Sequence, residues 1–202
     1  MTTDLRTAPP GFLAADDVVD LGHPAVQAVR WSLAHDRPDD VTYARRAFEH
    51  VRDRVDHSYD VADPRVTVRA SEVAEAGVGL CYAQSHLLVA LLRAHGVPAG
   101  LCYQRLAAPS GGHVVHGLVA VSVAGRWHRL DPRGTDVAFD LVREALVYTP
   151  DPARGERDVV GVFTSPPEEV LSPLRGVDDV LRAGLATDLP DRPGSAGESD
   201  VP

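Results

Sequence analysis

Apolar residues recur at helical spacing through the first half of the chain and then change to strand-like runs. Pro24 is placed as a first helical residue after His23, and Val26, Val29, Trp31 and Leu33 predict a short helix to about His35. Asp39 or Asp40 caps a second helix through roughly Val55. Its apolar stripe is Tyr43, Ala47, Phe48 and Val51, and the charged face of Arg45, Arg46, Glu49, Arg52 and Asp53 reads as solvated. Ser71, with Glu72 in the first turn, predicts a cap for a short helix that ends at Gly77. The strongest pattern starts at Cys81, where Leu87, Leu88, Leu91 and Leu92 recur beside Ala83, Ala90 and Ala94. It stops at Gly96, which suits a left-handed C-cap, and at Pro98.

Beyond Pro98 the pattern predicts strands at Leu101–Leu106, His113–Val123 and Arg126–Leu130, the last two joined by a two-residue Ala124-Gly125 loop. Residues 138–148 fit helix or strand equally. Val159–Phe163 reads as a short strand, and Pro166-Pro167-Glu-Glu opens a helix toward Ala183. The expected organisation is an N-terminal arm over residues 1–20, one domain over 21–187, and a disordered tail over 188–202.

Composition narrows the possibilities. A 202-residue chain that is 44% hydrophobic can build one real core. All twenty basic residues are arginine, and against twenty-nine acidic residues they leave a formal charge of −9. That balance argues against a nucleic-acid or anionic-membrane partner. No stretch is apolar enough to span a bilayer and no signal peptide is visible, so a cytoplasmic location is expected. Two cysteines, Cys81 and Cys102, do not make a disulfide framework.

Cys81 falls at or near the N-terminus of a largely buried helix, where free N–H groups and the helix dipole favour a thiolate. That stretch alone fits equally a small residue packed under a glycine turn. The hairpin adds to it. If Ala124-Gly125 is the loop, Val123 pairs with Arg126 and Asp131 lies opposite Leu118, on the face that carries His116. His113 has the opposite parity and is set apart, though it borders the Gly111-Gly112 loop near a substrate. A thiol, an imidazole and a carboxylate in this arrangement are nucleophile, base and orienting group of covalent acyl chemistry. The Cys81 N–H would serve as one oxyanion donor. Tyr82, Gln84, Gln104 and the Tyr103 hydroxyl are candidates for a second.

These blocks resemble the transglutaminase-like superfamily. The resemblance rests on Gly79-Leu-Cys81 with its Ala/Leu-rich helix ending Leu-Leu-Arg-Ala-His-Gly-Val-Pro-Ala, on His116-Gly-Leu-Val-Ala-Val, and on Trp127-His-Arg-Leu-Asp131-Pro, over residues 40–135. It implies a papain-like α+β fold, with the cysteine helix packed on an antiparallel sheet, in a single-domain bacterial member. By motif position it implies Cys81 as nucleophile, His116 as base and Asp131 as third member, acting on a peptide or small amide without a cofactor. Three positions depart from the family pattern. Gly100 stands where an arginine is usual, Leu118 where an aromatic is common, and Arg133 follows Asp-Pro.

His113 and His116 on one strand face opposite ways, which argues against a metal site there. His128, of opposite parity to Asp131, reads as a surface residue, and Cys102 as a buried thiol. Three functions remain open: hydrolysis of an acyl-thioester (peptidase or amidase), transfer of the acyl group to an amine, and a non-catalytic binding module. The intact Cys81, His116 and Asp131 tell against the last. Oligomeric state is not legible.

Overall fold

A computed structural model describes residues 10–190; the outer part of the expected arm and most of the expected tail lie outside them. After a 3₁₀ turn at Pro10–Leu13 come two α-helices, α1 (Pro24–Leu33) and α2 (Asp40–Arg54). Pro24 is the first residue of α1, as expected, and His23 caps it by accepting from the Ala25 N–H at 3.3 Å. Of the two cap candidates for α2, Asp39 serves, accepting from the Thr42 N–H at 2.7 Å. The predicted stripe of α2 is fully buried. Its charged face is partly structural, because Arg46 pairs with Asp36 and the Arg52 guanidinium donates to the Val137 carbonyl at 2.9 Å.

A two-residue strand β1 (Asp56–His57) follows, then α3 (Ala70–Ala76) and a second short strand β2 (Val78–Gly79), parallel to β1. Ser71 is not the cap of α3. It lies inside the helix with its N–H on Asp20, while Arg69 occupies the cap position and Glu72 accepts from the Val68 and Arg69 N–H groups. Gly77 closes α3 at φ 65°, a conformation that disfavours side chains.

Helix α4 (Cys81–His95) is the centre of the molecule, with twelve of its fifteen residues buried. A helix buried on nearly every side has no solvent face to keep polar, which is why its apolar residues run around it. Each fully buried leucine contributes about 1.5–3 kcal/mol. Two of its polar members reach carbonyls outside the helix: Gln84 donates to the Val55 carbonyl at 2.8 Å, and His86 Nδ1 lies 2.8 Å from the Val68 carbonyl. Arg93, in the last turn, is 4% exposed and donates to the carbonyls of Ala99, Ala14 and Thr164. It ties three separate segments to the helix.

Strands β3 (Ala99–Ala107), β4 (His113–Val123), β5 (Arg126–Leu130) and the two-residue β6 (Arg157–Asp158) form an antiparallel sheet in the order β5-β4-β3-β6. The β4–β5 register is the predicted one, with Val123 opposite Arg126 and Val119 opposite Leu130. Ala124 and Gly125 turn the hairpin at φ 53° and 75°. Val115, Val119 and Val121 belong to the core around α4, whereas Leu118 and Ala120 pack with Cys102, Trp127 and Val162 in a second cluster. Gly100 sits under that second layer, where a side chain would strike Phe12 and Val162.

After Asp131 the chain is mostly irregular. Residues 138–148 form neither helix nor strand, and Val159–Phe163 forms no strand, meeting β3 through the Val159 N–H on the Tyr103 carbonyl and an isolated bridge from Phe163 to Leu101. The helix expected from Pro166 to Ala183 is one turn, α5 (Glu168–Leu171), followed by a 3₁₀ turn. Pro173 and Gly176 interrupt the periodicity on which that expectation rested.

A Cβ on Gly117 would lie 3.2 Å from Tyr82 Cα and 3.3 Å from its nitrogen, against the backbone of the first turn of α4. Gly117→Ala is therefore expected to lower stability by about 1–3 kcal/mol, read as a drop of several degrees in Tm. Gly22→Ala, where an added Cβ meets nothing within 4 Å, is the matched control and should leave Tm nearly unchanged.

Candidate active site

The missing side chain at Gly117 lets the N-terminus of α4 lie directly against β4, and Cys81, its first residue, stands at that contact. Leu80, the N-cap, offers no side-chain acceptor, so the first-turn N–H groups keep their donors for other use. His116 precedes Gly117 on β4 and is paired across the sheet with Gln104 on β3. Its Nε2 lies 2.9 Å from Asp131 Oδ2, with both side chains buried. Asp131 is wholly enclosed: Oδ1 accepts from the Arg133 N–H at 3.1 Å, and Oδ2 also from the Val147 N–H at 3.0 Å. These backbone donors hold the carboxylate in place and compensate its burial. The edge of the Tyr148 ring meets the imidazole, with centroids 5.1 Å apart.

With Nε2 committed to Asp131, Nδ1 of His116 is the ring nitrogen left for the thiol. Burial pushes the Cys81 thiol up, but the charge of His116 and hydrogen bonds from His116 and His57 outweigh it and bring its pKa down to about 6. Burial pulls His116 down, and the Cys81 charge together with the Asp131 bond lifts it to about 10. The favoured state at neutral pH is a thiolate–imidazolium pair, which is the nucleophilic form of such a dyad. Cys102 is the opposite case, its thiol pushed up to about 12 chiefly by burial.

The thiol opens on a cleft of about 760 Å³, a size suited to small ligands. Leu106, Val114, Val115, Val147 and Leu185 make apolar walls, Tyr59, Tyr82 and Tyr148 add rings, and Arg133, Arg154 and Glu156 bring charge.

The sequence-derived residues divide in two. Cys81, His116 and Asp131 come together. Of the candidates for substrate contact or oxyanion donation, only Tyr82 lines the cleft, and its hydroxyl is spent on the Val115 carbonyl at 2.6 Å. Gln84 gives its amide to Val55 and Gln104 to Asp158 at 2.9 Å, so neither is a free donor. His113 is also diverted: Nδ1 is 3.0 Å from Arg105 and Nε2 3.1 Å from the Arg154 carbonyl. His57 was missed. It lies on β1, a strand too short for any periodicity to reveal, and only its long-range pairing with Gly79 carries it to the thiol.

Among solved structures, a provisionally assigned cysteine protease from Cytophaga hutchinsonii superposes with a TM-score of 0.51 at 17% identity, covering 66% of this chain and 46% of that one. This chain thus spans under half of that protein, and the likeness is one of fold. A protein described as a TGase gives 0.41 at 18% identity, over 60% of this chain and 33% of that one. A provisionally assigned protease from Parabacteroides distasonis gives 0.38 at 12%, over 61% and 27%. No curated protein matches the sequence. The profile of the transglutaminase-like superfamily matches residues 29–132, and with just over half of its 202 residues so matched the chain belongs to that superfamily.

Proposed function

We propose that this protein is a cysteine hydrolase that forms an acyl-thioester at Cys81 and cleaves a peptide or small amide. The observation that carries the reading is the buried His116–Asp131 pair at 2.9 Å beside a thiol whose pKa is brought down to about 6. In the mechanism, the Cys81 thiolate attacks the substrate carbonyl and the electron pair of the C=O moves to oxygen. Stabilisation of that developing charge is assigned to the first-turn N–H groups of α4, which no side chain caps. Collapse expels the amine, which takes its proton from the His116 imidazolium. Neutral His116 then removes a proton from water, the hydroxide attacks the thioester, and the carboxylic acid leaves as the thiolate returns. Asp131 keeps the imidazole in the tautomer with its proton on Nε2 and stabilises its cation.

Its walls favour an apolar or aromatic side chain next to the scissile carbonyl, with charged groups at the Arg133, Arg154 and Glu156 positions. Transfer to an amine would use the same thioester. Product analysis with and without added primary amine separates the two outcomes, using a screen of peptide-amide and aminoacyl-anilide substrates. Cys81→Ala should abolish turnover. Persistence of turnover in that variant would refute the reading.

Cys81 should react with iodoacetamide with a midpoint near pH 6, and Cys102 should stay essentially unlabelled through pH 8. Peptide mapping after labelling across pH 5–9 checks this. Equal labelling of the two would contradict the assignment of Cys81. Turnover should rise with the thiolate at about pH 6 and fall toward pH 10 as the imidazolium loses its proton.

Asp131→Asn should reduce turnover by about 10–10³-fold, less than in a serine triad because the thiolate is already formed. The amide can still accept at Oδ1 from the Arg133 N–H, so the far-ultraviolet circular dichroism spectrum should be retained. An Asn variant as active as the wild type would reduce the site to Cys81 and His116.

A further inference from the structure

We propose that His57 is the second oxyanion donor of this site, acting beside the backbone N–H of Cys81 on the tetrahedral intermediate. The inference rests on the acyl-enzyme reading above.

Four observations carry it. The first is placement. Strand β1 is fixed to β2 by the Asp56 N–H on the Gly77 carbonyl at 2.9 Å and the Ser58 N–H on the Gly79 carbonyl at 3.1 Å. His57 therefore stands level with Gly79, two residues before the nucleophile, on backbone bonded at both sides. Its side chain is 9% exposed and lines the same cleft as Cys81 and His116.

The second is the proton. His57 Nδ1 is buried without a hydrogen-bond partner, and Asp60 Oδ1, at 3.9 Å, is too far to serve. Asp60 is itself drawn to Arg133 at 3.1 Å. With no acceptor at Nδ1, the nitrogen that carries the His57 hydrogen bond to the Cys81 thiol is Nε2, and a ring proton is placed there. His57 is thus a donor toward Cys81.

The third is the contrast with His116. That imidazole has a carboxylate behind it and can become a cation, which suits a base. The carboxylate nearest His57, on Asp60, stands 3.9 Å away and is shared with Arg133, so the ring is placed to donate a hydrogen bond rather than to act as the base.

The fourth is the loss of the residues first considered, of which Tyr103 does not line the cleft. The side-chain donors of Tyr82, Gln84 and Gln104 are committed to Val115, Val55 and Asp158.

In the acylation step, the Cys81 sulfur forms its bond to the carbonyl carbon and the π pair moves onto oxygen. His57 Nε2–H and the Cys81 N–H donate to that oxygen, and both keep their protons. When the C=O re-forms, the leaving group departs with the electron pair of its own bond.

The test uses p-nitrophenyl acetate, whose nitrophenolate leaves unprotonated and whose burst reports acylation of the full-length protein. The burst rate of each variant is divided by its thiolate fraction, read from the pH profile of iodoacetamide alkylation, a displacement that creates no oxyanion. His57→Ala should lose about 10–10³-fold in this normalised rate, and His57→Gln, which retains a side-chain N–H, should recover a substantial part. A peptidyl aldehyde, whose hemithioacetal oxygen occupies the oxyanion position, should lose affinity for His57→Ala to a similar extent. Melting curves establish that each variant is folded, and if the alanine variant is not, His57→Gln against His57→Leu makes the same comparison. A normalised rate equal to the wild type overturns the proposal, because His57 would then only tune the thiol. Failure of the wild type to show any Cys81-dependent burst overturns the acyl-enzyme reading and this inference together, whereas a wild-type burst unchanged in the His57 variants overturns this inference alone.

Discussion

The rest of the site depends on how closely the first turn of α4 approaches β4. Gly117 leaves 3.2 Å between the position of an added Cβ and Tyr82 Cα, so helix and strand meet backbone to backbone. The consequence is geometric: the first residue of the helix stands beside the residue preceding Gly117 on the strand. Cys81 and His116, thirty-five positions apart in the chain, become neighbours because one side chain between them is missing. Tyr82 then seals the joint by donating to the Val115 carbonyl. Dense packing around α4 keeps the joint from relaxing, since close-packed interiors absorb little displacement.

Charge is the second constraint. A buried carboxylate is costly unless it is paired and hydrogen-bonded. Asp131 meets both conditions, with two backbone N–H donors and the His116 ring. One of those donors, Val147, comes from the irregular segment after the hairpin, which also supplies Tyr148 against the imidazole and Val147 to the cleft. Farther on, the Ala186 carbonyl accepts from the Val115 N–H on β4, and Leu185 lines the cleft. Residues after Asp131 are therefore part of the site although they form almost no regular structure.

Arg93 shows how such segments are held without a sheet or helix of their own. Its guanidinium reaches carbonyls of the N-terminal segment, the start of β3 and the segment before α5. Burial lowers its pKa to about 10, which still leaves it charged at neutral pH. Three backbone acceptors replace the water it gives up. Phe12 adds apolar contact at the same edge, packed edge-on to Trp127 with centroids 4.9 Å apart.

The amino-acid order alone determined whatever depends on local rules. The caps at His23 and Asp39, the stop at Gly96 and the hairpin at Ala124-Gly125 each follow from residues within a few positions of one another. The hairpin then carried local information outward, because a two-residue loop fixes the register and the register puts Asp131 on the face of His116. Local rules failed where the apolar pattern was short or broken: residues 138–148 form neither helix nor strand, and Pro173 and Gly176 cut the stretch after Pro166 to one α-helical turn. They failed also at His57, whose two-residue strand exists only because β2 lies beside it. The hydrogen-bond commitments of Gln84, Gln104 and His113 were likewise beyond the sequence, since their acceptors Val55, Asp158 and Arg154 lie 29, 54 and 41 positions away. Which residues share a strand face is decided by a period of two, but which donor remains free is decided by every neighbour the fold brings to it.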